Sequence, residues 1–389
     1  MAEGGDLHVG VNLTWLVPGE VGGSETYAVN LLRAVADHAP AGLRLTTFSG
    51  PRVLEAHPWL ADAGDVARGP VGRSRPARVA AEATWLNAAV HRAGPDLAVH
   101  LGGTMPVASR LAGARRLLLV HDLQPFDHPE HFAPARRAFL RARVGPSVRA
   151  AEVVATVSAW VADDVAARFG LERAAVEVLP TAVAPPPAVD AAVTAAVRAR
   201  YELDGPWFLL PAITYPHKGH ATLVAALARL LVDHPEALLV FAGGAGPFER
   251  DVDAAVAAAG VGHRVRRTGR VPAATLDALY AGATALCFPS RYEGFGLPVI
   301  EAMARGVPAV VADATALPEV AGGGALLLPP DDPPAWAAAM ARLLADPAHR
   351  HRLVVAGRAR AEAFAPGPIA ARTVAAWRRA ACSARDARR

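Results

Sequence analysis

Two glutamates, Glu293 and Glu301, stand with seven residues between them in the segment PSRYEGFGLPVIEAM. Glu293 lies in a glycine-rich loop after the apolar run TALCFPS, and Glu301 falls in the first turns of a helix that Pro298 is well placed to start. Both carboxylates are therefore expected at one loop and helix entrance, beside the free N–H groups around Gly296 and Leu297. Such a site holds acceptors for hydroxyls next to donors for anions, the mixture that a sugar joined to a nucleoside diphosphate requires. A helix-dipole role for Glu301 and a solvated Glu293 would explain one glutamate, but not the whole segment.

A second candidate is TYPHKGH, which holds Lys218, the only lysine among 40 lysine and arginine residues. It follows the strand-like WFLLPA and precedes the helical ATLVAALARLL, so the amine is expected at the carboxyl end of a strand. There it is a compact, mobile point charge suited to phosphate oxygens. A chain that otherwise spells positive charge as arginine makes this lysine informative. A third candidate, Gly22-Gly23-Ser24-Glu25, sits at a strand-to-helix turn where backbone N–H groups can approach an anion. Taken alone, that turn is explained better by Ser24 as an N-cap. It lacks a GxGxxG pattern and an acidic residue about 20 positions on, which disfavours a nicotinamide dehydrogenase.

The elements that must position these residues read as α/β. HVGVNL, LRLTTF, DLAVHL, RLLLVHD and EVVATVS are expected strands, alternating with the helices ETYAVNLLRAVADH, ARVAAEATWLNAAVHRA, PARRAFLRARV and SAWVADDVAARFG. LPTAVAPPPAV interrupts the series, because three consecutive prolines cannot supply backbone donors to a helix or central strand. The alternation then restarts at Trp207 and implies a second doubly wound sheet. We therefore expect an N-terminal domain over 1–185 and a second over 186–367, with a C-terminal helix over 368–389 that returns to the first.

Composition sets the outer limits. A chain of 389 residues with 52% hydrophobic and 20% charged residues fits two globular domains. A formal charge of +4, with acids and bases interspersed, gives no ground for nucleic-acid binding. Arg136, Arg137, Arg141, Arg143 and Arg149 fit one helical face, read first as solvated and second as a membrane-surface or acceptor patch. Cys287 and Cys382 imply neither a disulfide framework nor a zinc site. The N-terminus lacks a secretory pattern and no apolar run reaches the roughly 18 residues of a membrane span, so a cytoplasmic protein is expected.

The segment PSRYEGFGLPVIEAMARGVPAVV resembles the Glu-x7-Glu motif of retaining, nucleotide-sugar-dependent glycosyltransferases of family GT4, whose fold is GT-B: two Rossmann-like doubly wound domains facing a cleft. GGSETYAVNLL, VHDLQPFDHPEHF, VATVSAW and PHKGHATLVAAL are similar to other segments of that family, the last to its bacterial mannosyltransferases. The resemblance implies transfer of a hexose from GDP-mannose or a UDP-hexose to a hydroxyl acceptor, glycan, lipid-linked or small molecule, with no cofactor. It implies that Lys218 binds the donor diphosphate, Glu301 the ribose hydroxyls and Glu293 the sugar hydroxyls, with Glu293 also a candidate nucleophile beside same-face internal return. It further implies that backbone groups of Phe295, Gly296 and Leu297 hold sugar and phosphates, that Gly22 and Gly23 approach the diphosphate, that His121 faces the donor sugar, and that Gly269, Arg270 and Val271 lie near the base.

One position departs from the family. Many members carry a second diphosphate-binding arginine where this chain has Ile213, leaving Lys218 alone or with Arg291 or Arg270 as replacement. No Asp-x-Asp metal motif stands at the site, so no divalent cation is required. His121, Asp122, Asp127, His128 and His131 do not share a helical face and are broken by Pro125 and Pro129, which argues against a metal; His128 and His131 are expected on the loop surface. The acceptor would be chosen by loops near 65–80 and 102–108. A GT-B epimerase, a phosphorylase needing a pyridoxal lysine, and a two-lobed sugar-binding protein are the alternatives.

Overall fold

The computed structural model describes residues 6–20, 22–71, 74–106 and 114–382. Two compact units account for the chain: Met1–Ala182 with Ala365–Arg389, and Val183–Phe364. The first crossing lies in the proline-rich stretch, and the Val183 N–H donates to the Phe364 carbonyl at 2.8 Å, so the two crossings run side by side. Both fall slightly before the boundaries read from the sequence.

Short runs of Val, Leu and Ala form buried parallel strands because both faces of such a sheet are covered by helices. In the first unit these are β1 (Leu7–Asn12), β2 (Leu43–Ser49), β3 (Asp65–Arg68), β4 (Leu97–His100), β5 (Arg115–Val120), β6 (Val153–Thr156) and β7 (Val176–Val178). Among the described residues they form one parallel sheet in the order β3-β2-β1-β4-β5-β6-β7. β1 therefore pairs with β2 on one side and β4 on the other, and its last residue, Asn12, lies opposite His100. β3 and β7 escaped the sequence reading because DVAR and VEV are short edge strands without an apolar run.

The second unit repeats the plan with β8 (Trp207–Leu210), β9 (Leu238–Phe241), β10 (Val265–Arg267), β11 (Ala285–Phe288), β12 (Ala309–Ala312) and β13 (Leu326–Leu328), ordered β10-β9-β8-β11-β12-β13. Winding reverses between β1 and β4 in one sheet and between β8 and β11 in the other. Loops leaving the carboxyl ends of those pairs diverge to opposite faces, which opens a crevice in each unit.

The last helix, Pro366–Cys382, packs on Gly23–His38 within the first unit, burying Ile369, Val374 and Trp377. Arg379 adds an ion pair to Glu177 at 2.9 Å. Residues 383–389 of the expected helix lie outside the described residues. Three helices, Ala191–Arg200, Pro333–Ala345 and Pro347–Glu362, were not anticipated. Their starts are set by side-chain caps from Asp190, Asp332 and Asp346. Trp377 is fully buried, so Trp377→Ala should lower stability by about 3–5 kcal/mol, read as a shift in the urea midpoint, whereas Trp377→Phe should retain most of it.

Candidate functional site

In the second unit the chain leaves β8 through a single 3-10 turn, Pro216–Lys218, and re-enters a helix at His220. Gly219 joins them at φ 72°, and a Cβ there would stand 2.4 Å from the Pro289 carbonyl oxygen. Only glycine lets this loop press against the loop after β11. The contact is stitched further by the His217 carbonyl, which accepts from the Arg291 N–H at 2.8 Å and from the Ser290 hydroxyl at 3.2 Å. As a result Lys218 Nζ lies 2.6 Å from Glu293 Oε1, with 19% and 14% of the two side chains exposed. The amine also stands 5.6 Å over the Phe288 ring. Two residues from separate segments thus meet at the β8/β11 crevice.

Glu293 is held by its own backbone as well, its N–H donating to Thr315 Oγ1 at 3.0 Å. Thr315 has φ 52°, rare for a β-branched residue and a mark of local strain at sites of this kind. The following helix, Leu297–Ala304, begins at Gly296 with φ 102° and no side-chain cap, leaving its first N–H groups without a side-chain acceptor. A methyl at Gly296 would meet Leu317 Cδ2 at 2.5 Å. Phe295 is buried edge-on against Phe364, so its side chain is structural and only its backbone serves the loop. Glu301, half-buried, accepts from the Tyr280 hydroxyl at 3.1 Å. Burial pushes its carboxyl up, opposed by the Arg305 guanidinium and the Tyr280 hydrogen bond. Arg305 is shared, ion-paired to Asp277 and donating to the Glu301 carbonyl at 3.0 Å.

Beside this loop a cavity of about 280 Å³ opens at the carboxyl ends of β8, β9 and β10, lined by Ala212, Thr214, Gly243, Glu249, Arg267 and Gly269 among others. Arg267 was missed by sequence reasoning; it pairs with Glu249 and Asp253. Its signal was positional, a cation closing the strand VRR just before Gly269. Arg270 and Val271, exposed and half-buried respectively, follow Gly269 in the chain but are not among the residues that line the cavity. Arg291, proposed as a replacement at Ile213, is instead bound to Asp331 and to the Pro216 carbonyl at 3.1 Å.

In the first unit, Gly22 rather than Ser24 is the N-cap of Gly23–His38, and its carbonyl accepts from the Glu25 N–H at 3.0 Å. Gly22 takes the left-handed φ of 72° at the N-cap, and Ser24 falls inside the first turn of the helix. No atom approaches within 4 Å of the Cβ positions of Gly22 or Gly23, so the turn is open among the described residues. His121, at the end of β5, donates from Nε2 to the Leu101 carbonyl at 2.7 Å and meets Tyr27 edge-on, leaving Nδ1 as a lone-pair acceptor. Burial lowers its pKa to about 4, so the ring is neutral at physiological pH.

His131 is not on the surface as expected: 9% of its side chain is exposed. A 3-10 turn, Pro129–His131, brings ligand atoms of His128, Glu130 and His131 within 4.8 Å of one another, a proximity that helical spacing did not anticipate. The two rings stack at 14°, so their in-plane lone pairs run alongside rather than converge. The arginine face divides too: Arg143 turns in to the Met105 carbonyl at 2.7 Å, while Arg136, Arg141 and Arg149 are exposed. Among the described residues no helix is long and apolar enough to cross a membrane.

Comparison with known proteins agrees with this layout. Residues 21–185 match the family described as Glycosyltransferase Family 4, and residues 202–360 the one described as Glycosyl transferases group 1. An MMP alpha-(1->4)-mannosyltransferase of Mycolicibacterium hassiacum is 38% identical over 42% of this chain, which spans 41% of that relative. A GDP-mannose-dependent alpha-(1-6)-phosphatidylinositol monomannoside mannosyltransferase of Mycolicibacterium smegmatis is 33% identical over 67% of this chain and 70% of its own length. The solved structure of Anabaena Alr3699/HepE in complex with UDP and glucose shares the fold at TM-score 0.73 and 18% identity, over 95% of this chain and 99% of that one.

The raised Glu301 carboxyl has a sign that stability measurements can check. Below both its folded and unfolded values the group is protonated in either state; above the folded value the native state holds a buried carboxylate that the unfolded chain solvates. Glu301→Gln should therefore unfold at a higher temperature than the parent at pH 7.5, with the difference narrowing as the pH is lowered through the carboxylate range.

Proposed function

Because the chain belongs to glycosyltransferase family 4 and has its GT-B fold, we propose that it is a retaining hexosyltransferase that moves mannose from GDP-mannose to a hydroxyl acceptor. The observation that carries the reading is the Lys218–Glu293 pair beside the uncapped start of Leu297–Ala304. An ammonium has three donors, of which Glu293 engages one; the others are offered to diphosphate oxygens, joined by the helix N–H groups at Gly296 and Leu297. Glu293 keeps its second carboxylate oxygen for a sugar hydroxyl, and Glu301, oriented by Tyr280, takes the ribose hydroxyls. The base is assigned to the cavity beside Gly269, Arg270 and Val271. The second unit is the nucleotide-sugar domain and the first the acceptor domain, where Gly22 and Gly23 leave room for an anion and His121 Nδ1 accepts from a sugar hydroxyl.

Transfer breaks the bond between the anomeric carbon and the diphosphate oxygen and forms one to the acceptor oxygen on the same face. The acceptor proton passes to the departing phosphate. Charge grows on the leaving diphosphate as the carbon becomes oxocarbenium-like, and Lys218 with the helix N–H groups meets that charge without reorganising. No divalent cation is needed for this step. UDP-glucose is the second donor to test, since a neighbour in fold is solved with UDP and glucose. The exposed Arg136, Arg141 and Arg149 would serve a lipid-linked acceptor at a membrane surface.

Incubation of the purified protein with GDP-mannose and UDP-hexoses tests the reading. Acceptor-dependent release of nucleoside diphosphate, with a product of retained anomeric configuration by NMR, supports it; release of a free 2-epimer without acceptor refutes it. Lys218→Ala should weaken GDP binding by about 10- to 100-fold, as loss of a charged hydrogen bond does, while guanosine binding stays within about twofold of the parent by calorimetry. Equal losses for both ligands would remove the diphosphate from Lys218.

A further inference from the structure

The loop from Glu293 to Leu297 is braced by two supports that the proposed function leaves unused. The Glu293 N–H rests on Thr315 and Gly296 lies against Leu317, so both contacts come from one stretch, which runs into the short helix Leu317–Ala321. Between them in the loop, Phe295 packs its ring edge-on to Phe364, 5.5 Å between ring centres. The Phe364 backbone is itself pinned, its N–H donating to the Ala361 carbonyl at 2.9 Å and its carbonyl accepting from Val183 at 2.8 Å. Arg360 touches both supports.

A helix leaves its last four carbonyls without partners inside the helix. In Leu317–Ala321 the Pro318 carbonyl accepts from the Gly322 N–H at 3.0 Å, and the Ala321 carbonyl from the Gly324 N–H at 2.8 Å. The other two, Glu319 and Val320, accept from Arg360, from Nη2 at 2.7 Å and from Nε at 2.9 Å. The same guanidinium lies over the Phe364 ring, 4.8 Å from its centre. Its edge closes a helix end while its charge rests on an aromatic ring, a pairing of contacts that the planar fork of arginine permits and an ammonium does not reproduce. The approach requires Gly322, which takes φ 50°; a Cβ there would stand 2.4 Å from Arg360 Nε.

We propose that Arg360 is a positioning residue for diphosphate binding by the Glu293–Leu297 loop. It fixes Leu317–Ala321, whose lead-in sets Thr315 against Glu293 and Leu317 against Gly296, and it fixes the ring against which Phe295 packs. Both supports hold the N–H groups at Gly296 and Leu297 to one aim. Thr315, at φ 52°, keeps its strained backbone only where its surroundings over-determine it. The helix that Arg360 closes begins two positions later, so loss of the clamp is felt first at Thr315 and at the Glu293 N–H that it holds. An arginine that served stability alone would lower the melting temperature and leave ligand preference as it was; a positioning arginine changes affinity for the diphosphate and not for the nucleoside. The assignment rests on the reading of this loop as the diphosphate site.

Calorimetry with GDP and guanosine on the full chain, joined to amide hydrogen exchange without ligand, tests the assignment. Arg360→Met keeps an unbranched stem but loses both carbonyl contacts; it should weaken GDP binding by about tenfold, the size of one charged hydrogen bond, with guanosine within about twofold of the parent. Arg360→Lys, which can reach one carbonyl, should recover part of that loss. Phe364→Leu removes the ring without emptying its place and should shift GDP in the same direction, which decides the matter if Arg360→Met does not fold. In both variants the Glu293 amide should exchange about tenfold faster than in the parent, as for a local opening, while the amides of β11 keep their rates. Unchanged GDP affinity, equal losses for GDP and guanosine, or an unchanged Glu293 amide in a folded variant overturns the proposal. Failure of the parent to bind either GDP or UDP overturns the nucleotide-sugar reading instead, and the Glu293 amide then still reports whether Arg360 holds the loop.

Discussion

The ion pair between Lys218 and Glu293 is the contact around which the second unit is organised. It joins loops that are 75 positions apart in the chain, and it exists because Gly219 has no side chain to hold those loops apart. Half-buried pairs of this kind contribute little net stability once desolvation is counted. Their value here is positional: the amine is held at the crevice, charged and partly dry, with donors to spare. Glu293 depends in turn on Thr315 behind it, and Glu301 on Tyr280 and, through Tyr280 and Asp277, on Arg305. The chemistry is carried by few residues, but each is oriented by a neighbour on another element.

The two sheets solve one problem twice. Each reverses its winding at its first strand, and each gathers polar groups where the loops part. In the second unit the crevice holds opposite charges suited to a phosphate and hydroxyls. In the first it holds neutral donors and a single carboxylate around Asn12 and His100.

Much of this was legible beforehand. Apolar runs such as ALLVF and ALCF mark central strands, since a parallel sheet buried on both faces tolerates no polar alternation. The edge strands DVAR and VEV were not, because their pairing is supplied by a neighbour rather than by their own side chains. Glycines and prolines marked the loops, yet Ser24 misled: the start of its helix was set by the backbone of Gly22. Spacing rules also failed for His128 and His131, where one 3-10 turn replaced the helical period on which the reading relied.

By itself the sequence determined the α/β alternation, the proline-rich junction and the identity of Lys218, Glu293 and Glu301 as residues apart, because periodicity, ring constraints and composition are local properties. Only the tertiary structure decided which of them meet. Strand order places β11 next to β8 and β4 next to β1, and no local preference encodes that adjacency. The Lys218–Glu293 contact, the capture of Arg291 by Asp331 and the place of Arg267 at the cavity all depend on such packing, since each joins side chains brought together from distant strands and loops.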